Sequence, residues 1–135
     1  MLAQVRSEEW VAKGAPDTYV AQLASTRRQL DAIVADMSSL SARPEQMQEC
    51  MKGLFRIQAF HRSLDSLMGG LRKYQNPALA DLIQSVAAED QSDLDQIQTW
   101  VLDLANEKEQ EYKVVDREAQ RCRAILSKDP APKKR

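Results

Sequence analysis

Residues 47–74 read MQECMKGLFRIQAFHRSLDSLMGGLRKY, and a first stripe of side chains recurs there every three or four positions. This spacing is typical of an α-helix that packs through one face. A second apolar stripe lies beside the first, so the helix is expected to contact two neighbours at the centre of a bundle. The first stripe comprises Met47, Cys50, Leu54, Ile57, His61, Leu64, Met68 and Leu71, and the second comprises Met51, Phe60, Leu67 and Tyr74.

Two further long helices are predicted, because Gly and Pro residues mark the positions where the apolar spacing restarts. One runs from Pro16 to about Leu40. Asn76 and Pro77 are a typical helix start, and no Gly or Pro follows until Pro130, so the last helix is expected to span about 50 residues, or about 75 Å. The seam of the Pro16 helix comprises Tyr19, Leu23, Thr26, Leu30, Ile33, Met37 and Leu40.

The predicted fold class is all-α, an antiparallel bundle of three or four helices with a long C-terminal helix. The composition agrees, because 5% aromatic residues and only four Gly favour helices over a β-sandwich. We predict a short N-terminal segment over residues 1–15, a single helical bundle domain over 16–127 and a disordered basic tail over 128–135. The apolar stripe of the N-terminal segment is weak. The Gly69-Gly70 pair indicates a kink or a close approach of another segment.

The charge balance disfavours several classes of partner. The chain has 19 Lys and Arg against 20 Asp and Glu, a net charge of −1, so no global field favours nucleic acid or an anionic membrane. No run approaches the roughly 18 apolar residues of a membrane span. Cys50 and Cys122 are too few for a disulfide framework or a zinc site. We expect a soluble protein without metal or cofactor, cytoplasmic by default unless a signal or anchor has been removed.

The helices before and after Asn76 are expected to form an antiparallel hairpin. Residues at equal height along such a hairpin have numbers that sum to about 151, because both helices rise by the same amount per residue. Two apolar stripes then meet along their length, and basic residues of one helix face acidic residues of the other. The apolar levels include Leu54 with Ile97, Ile57 with Leu94, Leu64 with Ala87 and Met68 with Ile83, and the predicted ion pairs are Arg56 with Asp95 and Arg62 with Glu89.

His61, the only histidine, occupies a seam position that favours an apolar residue, and Asp90 lies at the same height. A buried imidazole needs a hydrogen-bond partner, so a structural polar pair in the core is one prediction. The alternative is a polar pocket for a small ligand, or an enzyme site, with Arg62 and Glu89 nearby. A single histidine disfavours a carboxylate-bridged metal bundle. Cys50 lies about 16 Å from His61 along the helix, so the two cannot form a catalytic dyad.

The C-terminal helix extends beyond the predicted bundle, which ends near the level of Leu104. Residues 105–127 overshoot by about 34 Å, yet the apolar spacing continues. An isolated helix this polar is marginal in water, so the seam is expected to be covered by a second copy, by another protein or by a fold-back near Asn106. The alternative is that this part of the helix frays. The candidate interface residues are Tyr112, Val115, Ala119, Cys122 and Leu126.

These features predict a non-enzymatic helical interaction or scaffold module, which self-associates as a dimer or binds a protein partner through its C-terminal helix. Charges of both signs flank the seam, as they do in coiled coils. Nucleic acid is disfavoured because no aromatic residues alternate with basic ones. The sequence does not separate a scaffold from a secretion chaperone or adaptor, since these differ only in the partner. Trp100 is predicted to pack against the helix that begins at Pro16, and the alternative is an exposed interface.

Overall fold

A computed structural model describes residues 1–128, and all regular secondary structure within that range is helical. The all-α prediction is therefore confirmed. The predicted basic tail over 128–135 starts at the last residue of the final helix, and its other residues lie outside the described range. A 3₁₀ helix at Leu2–Gln4 is followed by α1 (Ser7–Val11), α2 (Thr18–Ala42), α3 (Met47–Tyr74), α4 (Pro77–Glu89) and α5 (Gln91–Lys128).

The helix with two apolar stripes is the central one. α3 packs against both α2 and α4, and its Leu67, Met68 and Leu71 are completely buried. Leu23 of α2 and Ile83 of α4 belong to the same core cluster. Each buried side chain of this size contributes about 1.5–3 kcal/mol relative to an exposed one, so this cluster is the main source of stability of the bundle.

The N-terminal segment packs into this core, although its weak apolar stripe does not predict that it does. Val5 and Trp10 are buried in the same cluster as α3. Gln75, just after α3, holds the segment in place with three hydrogen bonds. Its Oε1 accepts from the Trp10 indole at 3.0 Å and from the Arg6 backbone at 2.9 Å, and its Nε2 donates to the Gln4 carbonyl at 2.9 Å.

A glycine in α3 makes room for these aromatic rings. A Cβ atom at Gly70 would lie 2.8 Å from both the Trp10 and the Tyr19 ring, whereas one at Gly69 would meet nothing within 4 Å. Of the two roles that the Gly69-Gly70 pair allows, the structure therefore shows a close approach at Gly70. The rings of Trp10 and Tyr19 themselves meet edge to face, with centroids 5.4 Å apart.

The sequence predicts the helix boundary at Asn76 but not the one at Asp90. Asn76 caps α4 as predicted, because its Oδ1 accepts from the backbone N–H groups of Ala78 and Leu79 at 2.9 and 3.4 Å. The expected unbroken helix from Pro77 is interrupted at Asp90, between α4 and α5, without any Gly or Pro. α5 then continues through Asn106, so the fold-back considered there does not occur.

The described residues divide into two compact units, Met1–Val101 and the segment from Leu102 onward. The predicted domain over 16–127 is divided differently: the first unit also takes in residues 1–15, and residues 102–128 are the C-terminal part of α5. Within the described residues, no helix combines the length and apolar character needed to cross a membrane.

Within the hairpin, the height arithmetic holds at the apolar level of Met68 and Ile83 and fails for the ion pair predicted at Arg56. Met68 and Ile83 share the core cluster as predicted. The predicted Arg56–Asp95 pair is wrong, because Arg56 Nη1 lies 2.6 Å from Asp36 Oδ2 on α2. Equal height along two helices does not determine the direction in which a side chain points around the axis, and Arg56 points toward α2.

Candidate functional site

The polar pair predicted from the sequence lines an apolar cavity in the N-terminal unit. His61 is half-buried on α3, and Asp90 is exposed at the C-terminal end of α4. Both line a cavity of about 400 Å³, a volume within the range of about 300–1,000 Å³ typical of small-molecule sites. Its apolar walls include Leu2, Leu30, Phe60, Leu64, Ile83 and Val86.

A second cavity, of about 240 Å³, shares part of this wall. Leu30, Phe60, His61 and Asp90 line both cavities. The second one adds Asp93 as a further acidic side chain, and among residues 1–128 no Lys or Arg lines either cavity. His61 and Asp90 therefore lie where the two cavities meet. We call the two cavities together the groove. The remaining residues around the second cavity are Ile33, Met37, Ile57, Leu94 and Ile97.

The polar atoms of the groove are not paired with each other. Within residues 1–128, no hydrogen bond joins His61 to Asp90, and the His61 ring meets Phe60 edge to face at a centroid distance of 5.9 Å. Arg62 and Glu89 are exposed. Imidazole has one donor and one acceptor and a carboxylate has two acceptors, so the groove keeps hydrogen-bonding capacity beside its apolar walls. No cluster of three or more metal-ligating side chains occurs in the described part of the chain.

The five candidate interface residues all lie on α5, and most are open to solvent. Tyr112 is 72% exposed, Val115 66% and Leu126 71%. Cys122 is exposed and Ala119 is partly covered. At 100° per residue, these five side chains fall within an arc of about 80°. They form a continuous apolar face, which we call the seam.

Outside the seam, this part of α5 carries Val114 and charged side chains that form ion pairs along the helix. Val114 is 57% exposed and lies about 120° around the helix from the centre of the seam. Ion pairs of 3.3–4.0 Å join residues three or four positions apart, and exposed pairs of this kind contribute at most about 1 kcal/mol. They are Lys108 with Glu111, Lys113 with Glu109 and Arg121 with Glu118.

Trp100 occupies a different environment from the one predicted. It is 47% exposed, and its indole donates to the backbone carbonyl of Pro44, between α2 and α3, at 3.0 Å. The Cys50 thiol donates to the same carbonyl at 3.4 Å. Both cysteines are free, and Cys50 is buried while Cys122 is exposed. One sequence feature agrees with this exposure of Trp100. This residue lies next to Val101, which occupies the position of the apolar stripe, and not on that position itself.

Known proteins provide no functional assignment for this chain. No protein-family model, no curated protein and no solved structure matches it. The seam on α5 and the groove lined by His61 are the two structural features on which the proposals below are based.

Proposed function

We propose that the protein is a non-enzymatic helical interaction module that self-associates through the C-terminal part of α5. The observation that supports this proposal is the exposure of the seam. Tyr112, Val115 and Leu126 are each about two-thirds exposed or more, although their spacing is that of a packed helix face. Contiguous exposed apolar residues of this kind mark interaction sites in soluble proteins.

An amphipathic helix without a packing partner is only marginally stable in water. Residues 102–128 belong to their own compact unit, as one stretch of helix, and most helix stability in proteins comes from packing an apolar face. Pairing two seams removes apolar surface from water at a gain of about 25 cal/mol per Å², which must exceed the roughly 4–15 kcal/mol of lost translational and rotational freedom. Covering the whole length of the seam therefore favours association most.

The pattern of the seam favours another helix as the partner. Its members alternate in spacing between three and four residues, which is the arrangement that interdigitates in coiled coils. Charged side chains of both signs flank it on the exposed surface. A second copy of the same helix supplies a seam of equal length, so pairing between copies leaves neither seam uncovered.

The test compares two neighbouring valines on α5 in the full chain. Val115→Asp places a carboxylate in the seam, whereas Val114→Asp makes the same change one residue earlier, at similar exposure and on a different face. Static light scattering over a concentration series gives the dimer Kd. Burying an unpaired carboxylate costs at least about 2 kcal/mol, so Val115→Asp should raise the Kd about 30-fold or more. Val114→Asp should change it less than about twofold.

Two results would contradict self-association through the seam. One is a full-length chain that stays monomeric at every concentration, in which case the partner is another protein. The other is an equal loss of dimer in both variants, because the effect would then come from charge rather than from the seam.

The groove supports a second candidate function, the binding of a small apolar ligand. The observation that favours it is the pair of cavities that share His61 and Asp90. Because Asp90 and Asp93 line the groove and no Lys or Arg of the described residues does, the expected ligand is an apolar molecule with a hydrogen-bond donor or an amine. Small-molecule sites combine apolar walls with a few polar groups in this way.

Two adjacent alanines of α4 test the groove. Ala87 lines the larger cavity, and Ala88 is exposed beside it. Titration with a neutral fluorescent probe such as N-phenyl-1-naphthylamine should show binding to the wild type. Ala87→Phe fills part of the cavity and should weaken binding by about tenfold or more, whereas Ala88→Phe should bind as the wild type does. Equal binding by both variants would eliminate the groove as the site.

A further inference from the structure

The charges of the seam helix are divided along its length. Residues 105–116 contain four carboxylates and two lysines, a net charge of −2, whereas residues 117–128 contain four basic side chains and one carboxylate, a net charge of +3. All of these charged side chains are exposed on α5. The helix therefore presents an acidic half followed by a basic half along the same apolar seam.

We propose that two copies of this chain pair through the seam in antiparallel orientation, each acidic half beside the basic half of the other. This inference rests on the proposed self-association and adds its direction and register. Twofold symmetry makes the favourable arrangement occur twice. A parallel pair in register would instead place acidic beside acidic and basic beside basic, which disfavours association.

The sizes of the seam side chains favour the same orientation. When the two copies run in opposite directions, Tyr112 can lie level with the partner's Cys122, and Val115 level with the partner's Ala119. Each of these layers combines a large side chain with a small one, which fills the space between helices evenly. The remaining seam residue, Leu126, lies level with the partner's Lys108, whose methylene groups cover it. In a parallel pair every residue meets its own counterpart, so the Tyr112 layer is crowded and the Ala119 layer leaves a gap.

The residues that flank the seam are compatible with this register. Glu109 lies beside the partner's Arg123, once on each side of the dimer. Near the twofold axis Asp116 and Glu118 each approach their own counterparts, and Arg121 lies 4.0 Å from the Glu118 carboxylate on the same helix. This local ion pair reduces the repulsion between the two glutamates, while exposed charges more than about 10 Å apart interact weakly at ordinary salt.

The exposed Cys122 thiol reports the orientation directly, because Cys50 is buried. A parallel pair brings the two Cys122 residues together, and mild oxidation of the wild-type full chain then gives a disulfide-linked dimer. An antiparallel pair keeps them apart and gives none. Tyr112→Cys restores cross-linking in the antiparallel pair alone, through Cys122 of the partner subunit. Positions 112 and 122 of one helix are about 15 Å apart, so this disulfide cannot form within a chain.

Controls separate this cross-link from others. Combining Tyr112→Cys with Cys122→Ser should abolish the linked dimer. Light scattering confirms that each variant still associates before oxidation. The wild type provides a second measurement that requires no substitution, since raising NaCl from about 50 to 500 mM screens the charges. The Kd of the antiparallel pair should rise about three- to tenfold, whereas the Kd of a parallel pair should fall.

The outcomes distinguish this inference from the proposed function. Cross-linking that needs both position 112 and Cys122, with a Kd that rises with salt, supports the antiparallel pair. A linked wild-type dimer, a Kd that falls with salt, or an associated Tyr112→Cys variant that cannot be linked overturns the orientation or register and leaves self-association standing. A wild type that is monomeric at every concentration overturns both.

Discussion

The N-terminal unit and the C-terminal part of α5 share one apolar spacing and have opposite burial. In the α3 seam, Leu64 and Leu71 are at most 3% exposed, whereas in the α5 seam Tyr112 and Val115 are at least 66% exposed. The spacing indicates which face of a helix is apolar. Burial requires a neighbouring segment, and α2 and α4 both pack against α3. The comparison therefore separates an apolar stripe that stabilises the fold from one that is open to solvent.

The two tryptophans allow the sharpest test of this difference in burial. Trp10 is completely buried and Trp100 is 47% exposed. Trp10→Ala should lower the free energy of unfolding by about 3–5 kcal/mol, because it leaves a large cavity in the core. Trp100→Ala should lower it by about 1 kcal/mol, the value of its hydrogen bond to Pro44. Urea unfolding followed by circular dichroism measures both free energies. A loss for Trp10→Ala as small as that for Trp100→Ala would show that the N-terminal segment is not part of the core.

The two adjacent glycines of α3 should respond in opposite directions. Gly70→Ala forces the Trp10 and Tyr19 rings to move and should destabilise the protein by about 1–3 kcal/mol. Gly69→Ala meets nothing within 4 Å and should stabilise α3 by up to about 1 kcal/mol, since alanine is the better helix former. The melting temperature measured by circular dichroism is expected to fall in the first variant and rise in the second. A rise in both would contradict the close approach at Gly70.

Features that depend on neighbouring residues could be predicted from the sequence. The cap at Asn76 and the helical face of α3 depend on residues within one or two turns, and both are observed. The seam positions Tyr112 and Val115 were predicted for the same reason. Of the covers that the sequence allows for these positions, the fold-back near Asn106 is absent because α5 is continuous there, and a second copy or another protein stays a prediction.

Features that depend on distant residues could not be predicted. Trp10 reaches the core only because Gly70 leaves space for its ring and Gln75 accepts its indole N–H, and no local pattern links a five-residue helix to positions some sixty residues away. The height arithmetic placed His61 level with Asp90, and both line the same groove. It could not show that they leave their polar atoms unpaired, because height does not determine the direction of a side chain.

The smallest expected effect concerns the seam in the monomer. Val115→Ala removes two methyl groups from a side chain that is already in water, so in dilute solution it should change the free energy of unfolding by less than about 0.5 kcal/mol. The buried Leu64→Ala, at an equivalent seam position of α3, should cost about 2–5 kcal/mol.

Urea titrations followed by Trp10 fluorescence in a Trp100→Phe background report on the N-terminal unit in both cases. A loss above about 1 kcal/mol for Val115→Ala at a concentration where light scattering shows only monomer would mean that the seam is packed within its own chain. The dimer should respond differently, because Val115→Ala then removes a contact between copies and weakens association while the unfolding of the monomer stays unchanged.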